Sequence, residues 1–189
     1  MQTNEFTYWS SLRAGDAAAL QALYNIYYKV LINYGMRMSS NLEITEDSIQ
    51  DLFIDLWRMK SNLGETDSVR NYIISSFRRK LIRNIKKLSP YNELDESGAE
   101  SADSQPGFMD EMIIQETDEQ NSQKLQEAMK KLSNRQREAI YLRFSEGMEY
   151  EQICEVMDLK YQSVRNLVST AIVKLKEIIV FCLIFFLKI

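Results

Sequence analysis

The side chains most able to do chemistry in this sequence are cations. Residues 68–87 read S-V-R-N-Y-I-I-S-S-F-R-R-K-L-I-R-N-I-K-K. They supply Arg70, Arg78, Arg79, Lys80, Arg83, Lys86 and Lys87 with no acid among them. Cations without local acidic partners are a footprint for phosphate, because each neutralised phosphate releases condensed counterions. Tyr72 and Phe77 are interleaved with them. An aromatic ring beside cations can stack on an unpaired base. Phe77 falls on the apolar stripe of the segment and is expected in the core; Tyr72 is open to either role.

A second set of polar side chains sits between 150 and 175. Ile153 and Val156 mark the inward side of a short helix, 158–160 reads as a turn, and a longer helix follows. The first outward residues of that helix are Gln162, Ser163, Arg165, Asn166 and Ser169. This is the layout of a helix-turn-helix, whose second helix enters the major groove by its early residues. Gln, Arg and Asn can make paired hydrogen bonds to purine edges, and Lys160 and Lys174 can hold phosphates. A plain three- or four-helix bundle with a polar face has the same spacing, and many regulators share the unit.

Other chemistries lack their residues. The chain has no histidine, so the usual general base, imidazole ligand and pH switch are missing. Cys154 and Cys182 are too far apart in sequence for a C-x-x-C pair and suggest no disulfide framework. No nucleophile–base pair, phosphate-cradling glycine loop or metal cluster is visible. The expectation is a protein that is not an enzyme and carries neither cofactor nor metal. Residues 1–20 lack a basic start followed by an apolar core. With reduced thiols, that points to the cytoplasm.

The elements that must position these groups read as helices. Two prolines and six glycines in 189 residues are few for a turn-rich β fold. Residues 17–38 place Ala19, Leu20, Leu23, Tyr24, Tyr27, Val30, Leu31 and Tyr34 at three- and four-residue steps after a Gly15-Asp16 turn and cap. T-E-D-S at 45–48 is expected to open a second helix with its stripe at Ile49, Leu52, Phe53, Leu56 and Met59. A break at 64–68 precedes the basic helix. In the rear half, 124–132 and 134–146 are amphipathic with Ser133 as a cap between them, Gly147 ends the run, and helices are expected over 149–157 and 161–179.

Charge divides the chain where these elements pause. Residues 88–123 carry ten acids and no base, a composition with little surface to bury. The expected fold is all-α: two small helical domains joined by a flexible acidic linker, the second a helix-turn-helix. The expected boundaries are 1–88, a linker at 89–118 with a short helix near 109–114, a domain at 119–180 and an apolar tail at 181–189.

Three stretches together resemble the extracytoplasmic-function group of the sigma-70 family of RNA polymerase sigma factors. They are T-E-D-S-I-Q-D-L-F-I-D-L-W at 45–57, the basic helix at 68–87, and L-S-N-R-Q-R-E-A-I-Y-L-R-F-S-E-G-M-E-Y-E-Q-I-C-E-V-M at 132–157 with the helix at 160–176. The resemblance covers about 6–178 and implies an alternative sigma factor directing promoter recognition and transcription initiation. It implies that Asp47, Gln50, Asp51, Ile54, Asp55 and Trp57 dock on the clamp of core RNA polymerase, although a core role for Trp57 stands beside that one. It implies that the 64–68 loop with Arg70, Asn71, Tyr72, Arg78, Arg79, Lys80 and Arg83 grips a melted minus-ten element and captures a flipped base. It implies that Lys160, Gln162, Ser163, Arg165, Asn166, Ser169 and Lys174 read the minus-thirty-five element as duplex. Arg78-Arg79 stands where the family often has Arg-Asn. The sequence shows no additional domain between its halves and no long acidic N-terminal domain, as in this group. Expected partners are core polymerase at its largest-subunit clamp and its flap, promoter DNA and an anti-sigma factor.

Residues 178–187 form a run of ten apolar residues. As a helix it would span about 15 Å, half of a hydrocarbon core of about 30 Å, so stable membrane insertion is not expected. It can extend the last helix and pack on the protein, dock on a partner, or touch a membrane surface. The rival to a sigma factor is a helix-turn-helix regulator that does not bind polymerase core; such a protein has no need of the 45–57 helix.

Overall fold

The structure, a computed structural model, describes residues 2–88, 129 and 131–186, with side-chain surroundings for 4–87, 129 and 131–176. The chain divides into two compact units, Met1–Gly98 and Ala99–Ile189. The described residues contain helices and turns and no strand, as the sequence led us to expect. The proposed linker, the short helix near 109–114 and most of the helix expected over 124–132 lie outside the described residues.

The first unit packs α1 (Gln2–Arg13), α2 (Ala17–Ser39), α3 (Leu42–Arg58) and α4 (Val69–Leu88), with a 3₁₀ turn at Lys60–Asn62. Asp16 caps α2 by accepting the Ala18 N–H at 2.8 Å. The α2 stripe buries Leu23, Tyr27, Leu31, Tyr34 and Met38 against Ile49, Leu52, Phe53 and Leu56 of α3 and Ile73, Phe77 and Leu81 of α4. Close approach centres on Gly35. A Cβ there would lie 2.4 Å from Thr45 Cγ2 and 2.9 Å from the Phe77 ring, so only glycine lets α2 pass this near both partners.

Two details depart from the sequence reading. Helix α3 starts at Leu42, under an Asn41 cap that accepts the Ile44 N–H at 3.1 Å, and not at Thr45. Thr45 and Ser48 are fully buried inside the helix, where their hydroxyls bond back to the Asn41 and Ile44 carbonyls at 2.8 and 2.7 Å. Back-bonding of this kind satisfies a hydroxyl within a helix, so the polar start was read one turn late. Helix α1 was not anticipated at all. Among its described side chains only Trp9 and Leu12 are buried, too short a pattern for periodicity to reveal.

The described elements of the second unit are α5 (Asn134–Ile140), continued by a wider π turn at Tyr141–Ser145, then α6 (Tyr150–Met157) and α7 (Tyr161–Phe186). Ser133 and Gln136 form a reciprocal capping box at the start of α5, 3.3 Å from Gln136 N–H to Ser133 Oγ and 3.1 Å from Ser133 N–H to Gln136 Oε1. Gly147 turns the chain at φ +66°. Asp158, at φ +54°, closes α6 in the left-handed region before α7. Ile153, Val156 and Met157 of α6 and Val164, Val168 and Ala171 of α7 are buried with Ala139 and Leu142. Met129 and Leu132 pack on Ala171, with Ile140 and Leu175 alongside. Helix α7 runs past 179 to Phe186, so most of the apolar tail continues the same helix. No described helix is long and apolar enough to cross a membrane.

Candidate functional site

On α3, Asp47, Gln50, Asp51 and Ile54 recur at three- and four-residue steps and are exposed, opposite the stripe that the core buries. With Ile44 they line a shallow groove whose other wall is Asn84 and Lys87 of α4. Ile54 is 47% exposed, an apolar group among carboxylates and an amide. Such a mixed face suits a helix-on-helix contact with a polar rim. Asp55 and Trp57 lie at its edge and are half-buried. The Lys60 ammonium sits over the Trp57 ring, 4.2 Å from its centre.

The basic helix α4 sorts its cations by depth. Arg79, Arg83, Lys86 and Lys87 are exposed, and Arg70 and Lys80 are partly so. Lys80 is ion-paired with Asp55 of α3. Arg78 and Asn71 are only 6% and 4% exposed; both are therefore set inside the unit and not among the outward cations. Phe77 is fully buried, as its stripe position predicted. Tyr72 is half-buried, its ring edge-on to Trp9 with centroids 5.0 Å apart. Ser68 starts the helix by accepting the Asn71 N–H at 3.2 Å.

In the second unit, Lys160 just before α7 and Gln162, Ser163, Arg165, Asn166 and Ser169 in its first turns are all exposed. Their opposite face, Val164, Val168 and Ala171, is at 0% exposure. The helix is thus fixed by its apolar side and offers its polar side outward. Gln162 donates to the Asn166 side-chain carbonyl at 2.9 Å, leaving the remaining amide donors and Arg165 to face outward. Lys174 is exposed too, yet its ammonium donates to Gln136 Oε1 at 3.3 Å. The Gln136 amide also donates to Thr170 Oγ1 at 3.1 Å, so one buried side chain joins the α5 cap to α7.

A network at the front of α7 escaped the sequence reading. Arg143 pairs with Glu149 at 2.9 Å, donates to the Met148 carbonyl at 2.7 Å and lies 5.3 Å from the Tyr150 ring centre. Tyr150 in turn meets Tyr161 edge-on at 5.8 Å, and Tyr161 is 46% exposed at the first position of α7. The tyrosine repeat at 150 and 161 was the available signal. Burial, with Glu151 and Glu155 nearby, pushes the Cys154 thiol up, which favours its protonated form.

Residues 23–90 match the family model described as Sigma-70 region 2, and residues 122–175 match the one described as Sigma-70, region 4. The RNA polymerase sigma factor YlaC of Bacillus subtilis (strain 168) is 22% identical over 159 residues, covering 84% of this chain and 91% of that protein. Among solved structures, CnrH in complex with the cytosolic domain of CnrY is similar at a TM-score of 0.61 and 14% identity, over 93% of this chain and 97% of that one. The sigma factor RpoE in complex with the anti-sigma factor NepR, from Bartonella quintana, is similar at 0.58 and 20% identity, over 84% and 95%. At these identities the two solved structures speak for the fold. The two region matches, in this order and spanning most of the chain, establish that it belongs to the extracytoplasmic-function group of the sigma-70 family, as an alternative sigma factor that directs promoter recognition.

Proposed function

We propose a residue-level division of labour for this sigma factor. The α3 face of Asp47, Gln50, Asp51 and Ile54, edged by Asp55 and Trp57, docks on the clamp of core polymerase. The outward cations of α4, Arg79 and Arg83 first and Arg70 and Lys80 beside them, hold the backbone of the melted minus-ten strand. Tyr72 and the 64–68 loop receive an unstacked base. Asn71 and Arg78, being buried, support that surface from within. Helix α7 reads the minus-thirty-five duplex with Gln162, Arg165 and Asn166, while Lys160, Ser163, Ser169 and Lys174 fix its register on phosphates. The domains are 1–88 and 119–180, joined by the acidic linker at 89–118 and followed by the tail at 181–189. The protein acts in the cytoplasm, catalyses nothing itself, and is held inactive by an anti-sigma factor.

The observation that supports this reading best is the outward row on α7. Lys160 just before the helix and five polar residues in its first turns are exposed, opposite a side that is fully buried at Val164, Val168 and Ala171, which is how a recognition helix is mounted. The α3 assignment is tested by Gln50→Ala with Asp51→Ala. Affinity for core polymerase, measured by competition against the unaltered chain, should fall while the helical content stays the same. Unchanged affinity would refute the assignment.

A further inference from the structure

Helix α1 reaches into the segment that precedes the basic helix. The Trp9 indole N–H donates to the Gly64 carbonyl at 3.1 Å, and the Arg13 Nε–H donates to the Leu63 carbonyl at 2.8 Å. These are adjacent carbonyls, both held by side chains from one helix distant in sequence. The Arg13 guanidinium also lies 3.7 Å from the Glu65 carboxylate. Trp9 is 2% exposed, and its ring makes the edge contact with Tyr72. One tryptophan therefore touches both the loop and the aromatic of the basic helix that faces it.

The far end of the loop is tied locally. Thr66 Oγ1 donates to the Ser68 carbonyl at 3.1 Å and accepts the Ser68 N–H at 3.2 Å. The outer side is free at Gly64: a Cβ placed there would meet nothing within 4 Å. Its φ is not positive, so the backbone does not require glycine. The loop is thus braced on its inner side and open on its outer side. A site that grips a nucleotide needs its supporting groups held to about half an ångström.

We propose that Trp9 and Arg13 are positioning residues for capture of the melted strand: by holding the Gly64 and Leu63 carbonyls, they fix the 64–68 loop and Tyr72 in the form that receives an unstacked base. The proposal rests on the assignment of this loop to the minus-ten strand. Neither residue touches the strand itself. A brace for the fold alone would change core binding and strand binding in parallel; a positioning role acts on base discrimination while core binding stays constant.

The test uses the full chain assembled with core polymerase. The probe is the single-stranded oligonucleotide that the unaltered holoenzyme selects from a randomised pool, with versions made abasic at each position in turn. Trp9→Phe keeps an aromatic ring and loses the pyrrole half of the indole with its donor; Arg13→Gln removes the guanidinium at a partly exposed site, and Arg13→Lys restores a cationic donor. The expected result is a loss of about tenfold in affinity for the intact probe in the first two variants. Discrimination against the abasic version at one position should collapse with it. Core affinity, measured well below the thermal midpoint, should hold although Trp9→Phe lowers that midpoint by emptying part of a buried site, and Arg13→Lys should recover part of the loss. Full discrimination in both variants overturns the proposal, as does a fall of core affinity in parallel with the loss on the probe. If the unaltered holoenzyme discriminates at no position, the assignment of the loop to a captured base fails instead.

Discussion

Lys80 of α4 and Asp55 of α3 are bonded to each other across the interface of their helices, with side-chain exposures of 20% and 41%. In the proposed roles, one belongs to the DNA-holding surface and the other to the polymerase-docking surface. Each holds the other's charge while the protein is free. An exposed pair of this kind contributes only about 0.2–1 kcal/mol to stability, and the exposure of Asp55 places it at the low end. Asp55→Asn should therefore leave the fold intact and release Lys80. The free protein should then bind single-stranded DNA more tightly, with a salt dependence steeper by about 0.7 in log–log slope, one more phosphate neutralised. Titrations at several salt concentrations check this; an unchanged slope means that Lys80 does not reach phosphate.

Gly35 makes the opposite kind of prediction, for stability without function. A methyl group there overlaps Thr45 and Phe77, both at 0% exposure in the heart of the first unit. Gly35→Ala should destabilise by about 1–3 kcal/mol, the usual cost of overpacking. Urea unfolding of the full chain would show the transition of the first unit moving to lower denaturant.

Arg165 and Lys160 should separate reading from holding. Arg165→Ala should cost about 1–3 kcal/mol on the cognate upstream element and little on unrelated duplexes, if its guanidinium pairs with a purine edge. Lys160→Ala should weaken binding to every duplex alike and flatten the salt dependence by about 0.9 in log–log slope. Duplex titrations with matched and scrambled upstream elements distinguish the two.

Burial, reinforced by the Glu5 carboxylate, pushes the Tyr27 phenol well above its usual value of 10.0. The folded state thus keeps this proton after the unfolded chain has lost it. The resulting stabilisation is complete below about pH 10 and is lost as the pH rises above that value, because the unfolded state then binds fewer protons. Unfolding midpoints should decline on the alkaline side, and Tyr27→Phe should flatten that decline.

Much of this was legible in the sequence because the relevant patterns are local. The polar row on α7 and the apolar stripe beneath it are one periodicity, and Ser133 announces its capping box through Gln136. Phe77 was placed in the core by spacing alone. What was not legible depends on contacts between distant segments. Nothing near Arg78 in sequence says that it is buried while its neighbour Arg79 is exposed. Nothing near Asp55 names Lys80 as its partner. Helix α1 was missed because Trp9 and Leu12 alone make too short a stripe, and its bonds to Leu63 and Gly64 join segments that no window spans. Thr45 and Ser48 misled because buried hydroxyls that bond back to their own helix look, in sequence, like the polar cap of one.

The central claim is that the front unit handles opened DNA and the rear unit closed DNA, both on one polymerase. Run-off transcription with purified core on genomic promoter fragments tests it most directly, with the upstream duplex or the minus-ten segment scrambled in turn. The account predicts a discrete transcript that either scrambling abolishes or sharply reduces. A holoenzyme that assembles and yields no discrete transcript, or one indifferent to both scramblings, would contradict it.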